Sequence, residues 1–298
     1  MSAHLNVKHA LTAMTLSMLT TAVSAANPAP PLNLSIYNPG SAGIFPVSSV
    51  LVSGKHDAIL VDAQFGASQA QQVVNLIKKS GKHLTTIYIS HGDPDYYFGL
   101  ATIKAAYPDV RVVATAQTVD HMRQTVQGKL TYWGPKLGVD APKRTIMPEV
   151  LDGDHLTLEG QQLQIIDLQG RQPERSVVWI PSIRAIVGGV VVDGANSHIW
   201  MADTQTPKSH TDWLTTLYKI EALKPLVVVP GHFQAGAPLN LDSVRYTIRY
   251  IETFDREVVK AANAADLITA MKRDYPQAQG TDSLDLSAKV AKGEMQWP

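Results

Sequence analysis

From residue 32 onward the sequence runs twice through one order: short β-branched apolar segments first, segments with helical spacing of apolar residues afterwards. In the first pass LNLSIYN, PVSSVLVSG and AILVDA (58–63) read as strands, with a hairpin-type turn over Ser53-Gly54-Lys55-His56-Asp57. GASQAQQVVNLIKKSG carries Ala70, Val73, Val74 and Ile77 on one helical face and stops at Gly81, after two lysines suited to a helix C-terminus. Strand TTIYIS, helix LATIKAAY, strand VRVVAT and helix TVDHMRQTVQG follow. LTYWGPKLGVDAPKR, rich in Gly and Pro, reads as irregular. In the second pass LTLEG, QQLQIIDL, SVVWIP and AIVGGVVV read as strands, followed by a helix near Ser209 to Leu223 and the buried strand PLVVVPGH. Helical patterns then run over Leu241 to Ala262 and near Asp266 to Arg273. A sheet must bury its apolar face, so two such passes predict two sheets packed together with helices outside.

The chain has no cysteine, which removes disulfides, thiol nucleophiles and thiolate ligands together. Its 298 residues must rest on a hydrophobic core, which 45% hydrophobic content can supply. Acidic and basic residues balance at 26 each, with no basic stripe, so nucleic acid is not an expected partner. At the N-terminus Lys8 and His9 precede ALTAMTLSMLTTAV, and Val23-Ser24-Ala25 supplies small residues at a cleavage point. Residues 1–25 therefore read as a signal peptide and 26–31 as a leader, with the folded domain over 32–298. The expectation is an exported protein, periplasmic or secreted, with no stable membrane span once the signal is removed.

The chemistry concentrates where strands stop. IYISHGDPDYYFGL places His91, Asp93 and Asp95 within five residues at the end of an apolar strand, and VVVPGH ends in His232. Ligands of α/β sheets collect outside the carboxyl ends of strands. A single histidine there is ordinarily a hydrogen-bonded structural residue; two, one beside a double-carboxylate loop, point to a cation. Without cysteine, that cation must be held by histidine and carboxylate, as zinc, iron or manganese can be.

HGDPDY at positions 91–96 resembles the metal-binding loop of the metallo-β-lactamase superfamily, His-x-His-x-Asp-His. AILVDA with its terminal Asp62, SVVWIPSIRAIVGG and VVVPGH resemble other segments of that family, in order, from about Leu32 to His232. The helices from about residue 241 match no motif. The resemblance implies an α/β (α+β) fold, an αββα four-layer sandwich with the site along one edge between the sheets. It makes His91, Asp95 and His232 ligands, and sets Asp93 and Tyr96 where the family has histidines. Arg171 in LQGRQPERSVVWIP stands in place of another histidine, and Val190 where a bridging aspartate or cysteine is usual. A guanidinium stays protonated and cannot ligate.

What this implies is a metal site of His91, Asp93, Asp95 and His232, with one zinc ion expected, a second weakly held or missing, and iron or manganese as alternatives. The implied activity is hydrolysis of an ester, lactone, thioester or amide bond in a small molecule by metal-activated water. Asp95 would orient the water, while Arg171 and Tyr96 would contact substrate or stabilise developing charge. The alternatives are an inactive binding protein that keeps the fold with a degenerate site, and an iron redox enzyme. His198 and Asp203, just past the Gly-Gly hairpin, are secondary candidates, His198 reading as structural. Tyr97 and Phe98 read as the packed wall behind the loop. Trp133, Trp179 and Trp200 read as core; His83, His121, His155 and His210 read as surface or turn residues.

Overall fold

The computed structural model describes Met1, residues 30–166 and residues 175–297. Residues 2–29, over which the signal peptide and leader are expected, and Arg171 lie outside the described residues.

The first sheet has six strands in chain order: β1 (Asn33–Tyr37), β2 (Ser49–Ser53), β3 (Asp57–Val61), β4 (His83–Ile89), β5 (Arg111–Ala114) and β6 (Glu149–Val150). The first three strands pair antiparallel, and from β3 onward the pairing is parallel. Helices α1 (Ala67–Ser80), α2 (Pro94–Tyr97), α3 (Leu100–Ala106) and α4 (Ala116–Leu137) lie between these later strands in the chain. The second sheet has the order β11-β10-β9-β8-β7, with β7 (His155–Leu158), β8 (Gln161–Ile166), β9 (Val177–Ile180), β10 (Ala185–Val187) and β11 (Val227–Val229). Helices α5 (Pro207–Ala222), α6 (Leu241–Lys260), α7 (Ala264–Asp274) and α8 (Thr281–Ala291) follow in the second half.

Strand alternation builds the layers. Val50, Val52, Ile59, Val61, Tyr88 and Val113 of the first sheet meet Leu163, Ile165, Val178, Ile180 and Val187 of the second in one buried cluster between the sheets. The intervening residues Leu51, Leu60, Ile87, Ile89 and Val112 point the other way, onto Val73, Val74 and Ile77 of α1, Ile103 of α3 and Met122 of α4. Val177, Trp179, Ile186 and Val228 do the same on the far side, against Trp213, Leu217, Val244, Ile251, Leu267 and Leu284 of α5–α8. The period of two along each strand thus gives both faces an apolar partner. The result is the expected αββα sandwich, and the motif-less C-terminal helices form its outer layer on the second sheet.

Three local expectations change. The first part of the segment read as irregular, residues 130–137, is the end of α4, which runs on through Gly134 and Pro135 to Leu137, while residues 138–144 are a short 3-10 turn and irregular chain. Val126, Leu130, Trp133 and Leu137, spaced as on one helical face, pack on the core and outweigh the local breakers. AIVGGVVV is a strand only to Val187, because Gly188 and Gly189 both take positive φ and turn the chain away. His210 is not a surface residue: it is buried in the first turn of α5, its Nδ1 2.5 Å from Asp255 Oδ1.

Candidate active site

The loop after β4 is held from below by the end of β3. Asp62 and Gln64 there adopt positive φ, 65° and 73°. This kink exposes backbone groups to the loop: Ala63 N–H donates to Tyr96 O at 2.7 Å, and Gly99 N–H to Gln64 O at 2.9 Å. Only glycine suits position 99, since a Cβ there would lie 2.0 Å from Ala63 O. Gln64 Nε2 donates to Val47 O at 3.0 Å and Ser49 Oγ at 2.9 Å, fixing the turn to β2. Asp62, fully buried, accepts from Ser90 N–H at 2.8 Å and Ser90 Oγ–H at 2.6 Å. Burial raises its pKa to about 7 against the pull of those bonds, of a Gly189 backbone donor and of His91.

The second sheet closes the other side. Ser176 N–H and Oγ–H donate to Ser90 O at 3.2 and 2.9 Å, and Ser176 Oγ lies 2.7 Å from Tyr88 Oη. His91 forms a backbone bridge with Arg175, and His232 with Val47 and Asp193. The two predicted histidines, 141 positions apart in sequence, are thereby carried to one edge between the sheets.

The predicted ligands meet two by two. His91 Nε2 lies 3.0 Å from Asp93 Oδ2, and His232 Nε2 lies 3.0 Å from Asp95 Oδ2. Tyr96 stands between the pairs, its ring centroid 5.4 Å from that of His91 and 5.7 Å from that of His232. Among the described residues no three histidine, aspartate or glutamate side chains gather closely enough to hold a metal ion. Burial opposes protonation of His232, yet its bond to Asp95 and the charges of Asp95, Asp193 and Asp93 prevail and raise its pKa.

Tyr96 is fully buried, and among the described residues its hydroxyl has no hydrogen-bond partner. A Cβ on Gly231 would lie 2.6 Å from that hydroxyl and 2.1 Å from Gly189 O, so glycine leaves it the space it occupies. Burial, and then the charges of Asp95, Asp62, Asp193 and Asp93, keep the phenol protonated far above its usual range. A buried hydroxyl left without a partner is costly.

Sequence reasoning missed several charges. Lys129 of α4 reaches Asp93 Oδ1 at 2.7 Å, Gly92 O at 3.0 Å and His121 Nε2 at 3.2 Å. His121 is therefore half-buried at the cleft, not a surface residue. Burial works against ionisation of Asp93, but His91 and Lys129 hold its carboxyl well below the usual range. Burial raises Asp193 to about 6, against His232 and Arg175. Arg175, buried over the Trp213 ring, lies 3.9 Å from Asp203. Burial and the charge of Asp93 raise the Asp203 pKa, with Arg175 pulling the other way. Asp203 also accepts from the indole N–H groups of Trp200 at 2.8 Å and Trp297 at 2.7 Å. His198 is structural as read, buried with Nδ1 3.1 Å from Tyr250 Oη. Val190 packs on the apolar cluster under α1. Tyr97 and Phe98 are buried behind the loop and Trp179 in the core, whereas Trp200 is only half-buried.

The sequence matches the family model of the metallo-beta-lactamase superfamily over residues 42–232. It is 25% identical over 218 residues to a metallo-beta-lactamase type 2 of Bacteroides fragilis, covering 71% of this chain and 79% of that protein. It is 21% identical over 166 residues to a hydroxyacylglutathione hydrolase of Haemophilus ducreyi, covering 55% of this chain and 58% of that one. The fold superimposes on a metallo-beta-lactamase family protein from Thermus thermophilus with a TM-score of 0.60 at 14% identity, covering 88% and 91% of the two chains.

Proposed function

This chain belongs to the metallo-beta-lactamase superfamily, and from that premise we propose that it is an exported, metal-dependent hydrolase of a small molecule carrying an ester, lactone, thioester or amide bond. The observation that carries the reading is the Tyr96 hydroxyl, without a hydrogen-bond partner among the described residues and buried beside the Asp95–His232 pair. Asp95 and His232 supply an oxygen and a nitrogen of the kinds that zinc, iron and manganese take, and would be two of the ion's ligands, with the Tyr96 phenol beside them. When bound, such an ion lowers the pKa of water and polarises a carbonyl.

The chain's own groups supply the rest. Asp95 accepts a proton from the attacking water and fixes its direction. That proton passes from Asp95 to the leaving group, while His232, as a neutral imidazole, would hold the ion. Tyr96, still a phenol, donates to the oxygen on which charge develops. The half-buried Phe45 ring stands edge-on to the His232 ring, their centroids 6.0 Å apart, and lends an apolar wall to this side. Arg171 belongs to the same proposal as a clamp for a substrate carboxylate, and residues 1–25 as the export signal. The names of the two relatives, a metallo-beta-lactamase and a hydroxyacylglutathione hydrolase, support hydrolysis in general.

The test combines elemental analysis of the purified chain with a panel of 4-nitrophenyl acetate, a γ-lactone, an acyl thioester and a chromogenic β-lactam. A bound metal with turnover on one class, lost in Asp95→Asn and His232→Ala, is the expected result. No metal and no turnover would favour the second reading, a binding protein in the old cleft. That reading has an observation of its own: the ligand set is paired internally, His91 with Asp93 and Asp95 with His232.

A further inference from the structure

Asp93 is a carboxylate of the site that the hydrolytic scheme leaves unused. Its environment is complete without a metal. One oxygen faces His91 Nε2 at 3.0 Å and the other the Lys129 ammonium at 2.7 Å. The ammonium in turn has three N–H groups and three acceptors, Asp93 Oδ1, Gly92 O and, with that ring nitrogen unprotonated, His121 Nε2. Lys129 is held in place, not waving in solvent: its side chain is 18% exposed and that of Asp93 is 26% exposed. Its backbone sits in the middle of a 22-residue helix whose neighbouring turns are fixed by Val126, Leu130 and Trp133 against the core.

We propose that Lys129 is a built-in cation that occupies the Asp93 side of the cleft in place of a metal ion, leaving one metal position in this chain. A metal on Asp93 needs a bond of about 2 Å to a carboxylate oxygen. Lys129 already stands at hydrogen-bonding distance from that carboxylate, and an ammonium repels a divalent ion while neutralising the charge that would attract it. On the other side Asp95 faces the His232 imidazole, which can give up its proton to a metal, and no lysine or arginine among the described contacts, so the two sides differ in kind. The inference rests on the Lys129 geometry alone and does not require that the protein be a hydrolase.

The experiment compares the parent, Lys129→Met, Lys129→Arg and Asp93→Asn after identical zinc loading and desalting, with zinc per chain from elemental analysis and folding from circular dichroism. Lys129→Met frees Asp93 and should gain about one zinc per chain over the parent. Lys129→Arg keeps the charge and should bind as the parent does. Asp93→Asn removes a group that ligates nothing in the parent, so its zinc content should be unchanged. A folded Lys129→Met with no gain overturns the proposal, and so does a fall in Asp93→Asn, which decides the matter even if Lys129→Met does not fold. A parent that binds no zinc counts against the hydrolytic reading, while the gain expected in Lys129→Met stays the same.

Discussion

Replacing Asp62 by Asn should reshape the pH dependence of stability. Asp62 is fully buried under the cleft and its φ of 65° lies in the left-handed region, which asparagine also tolerates well. Asn is nearly the same shape, so the kink that supports the backbone of the loop after β4 is retained. The carboxyl differs from the amide in its proton: burial moves its pKa from 3.8 to about 7 despite three donated hydrogen bonds. At 1.36 kcal/mol per pKa unit, that rise corresponds to about 4 kcal/mol between the protonated and ionised forms. The folded-state pKa lies above the unfolded value, so the folded chain holds more protons in that window. The stabilisation is complete below about pH 4 and disappears as pH rises through about 7. Parent stability minus variant stability, from urea unfolding at a series of pH values, should therefore fall by about 4 kcal/mol between pH 4 and 8. Taking the difference removes the other titrating groups, provided both chains unfold in one transition. A difference that stays flat across that range would refute the reasoning, because it would mean that Asp62 is ionised in the folded protein throughout.

Gly99→Ala should destabilise by about 2–4 kcal/mol in the same assay, since the new methyl would lie 2.0 Å from a backbone oxygen and 2.7 Å from Ala70 Cβ. Glu159 accepts from the backbone N–H groups of Lys55, His56 and Asp57, which lower its pKa to about 2. Glu159→Gln should lower the thermal midpoint at pH 7, and the gap to the parent should close as pH falls from 4.5 towards 2, where the parent loses that contribution. Trp297→Ala removes an indole that rests on Trp200 at 5.1 Å and bonds to Asp203, so the C-terminal end should be cut faster by carboxypeptidase, with global stability lowered by about 1 kcal/mol or less. Unchanged cleavage would show that the tail is not tied down there.

Much of the scaffold was legible because it is written in short-range pattern. Alternation of apolar residues along β2 to β5 and β9, and the spacing of Ala70, Val73, Val74 and Ile77, are consequences of 2.0- and 3.6-residue periods that any chain must obey. Strand ends carrying His91 and His232 marked the site for the same reason: a strand's last residue is where a parallel sheet opens to solvent. Local signals failed where packing overrode them, as in α4, whose Gly134-Pro135 pair reads as a stop while Trp133 and Leu137 are held by the core.

The pairing of charges in the cleft was decided by the tertiary structure alone. Asp93 and Lys129 are 36 residues apart, and nothing in VQGKLTYWG distinguishes Lys129 from a solvated helix lysine. Asp193 and Arg175 reach the site only because the Gly188-Gly189 turn and the bridge between His91 and Arg175 bring the second sheet's edge to the first. Electrostatic energy falls with distance through space and is indifferent to distance along the chain. The sequence by itself therefore named the strand ends and the histidines and carboxylates they carry. The packing of two sheets determined which of those side chains already have a partner.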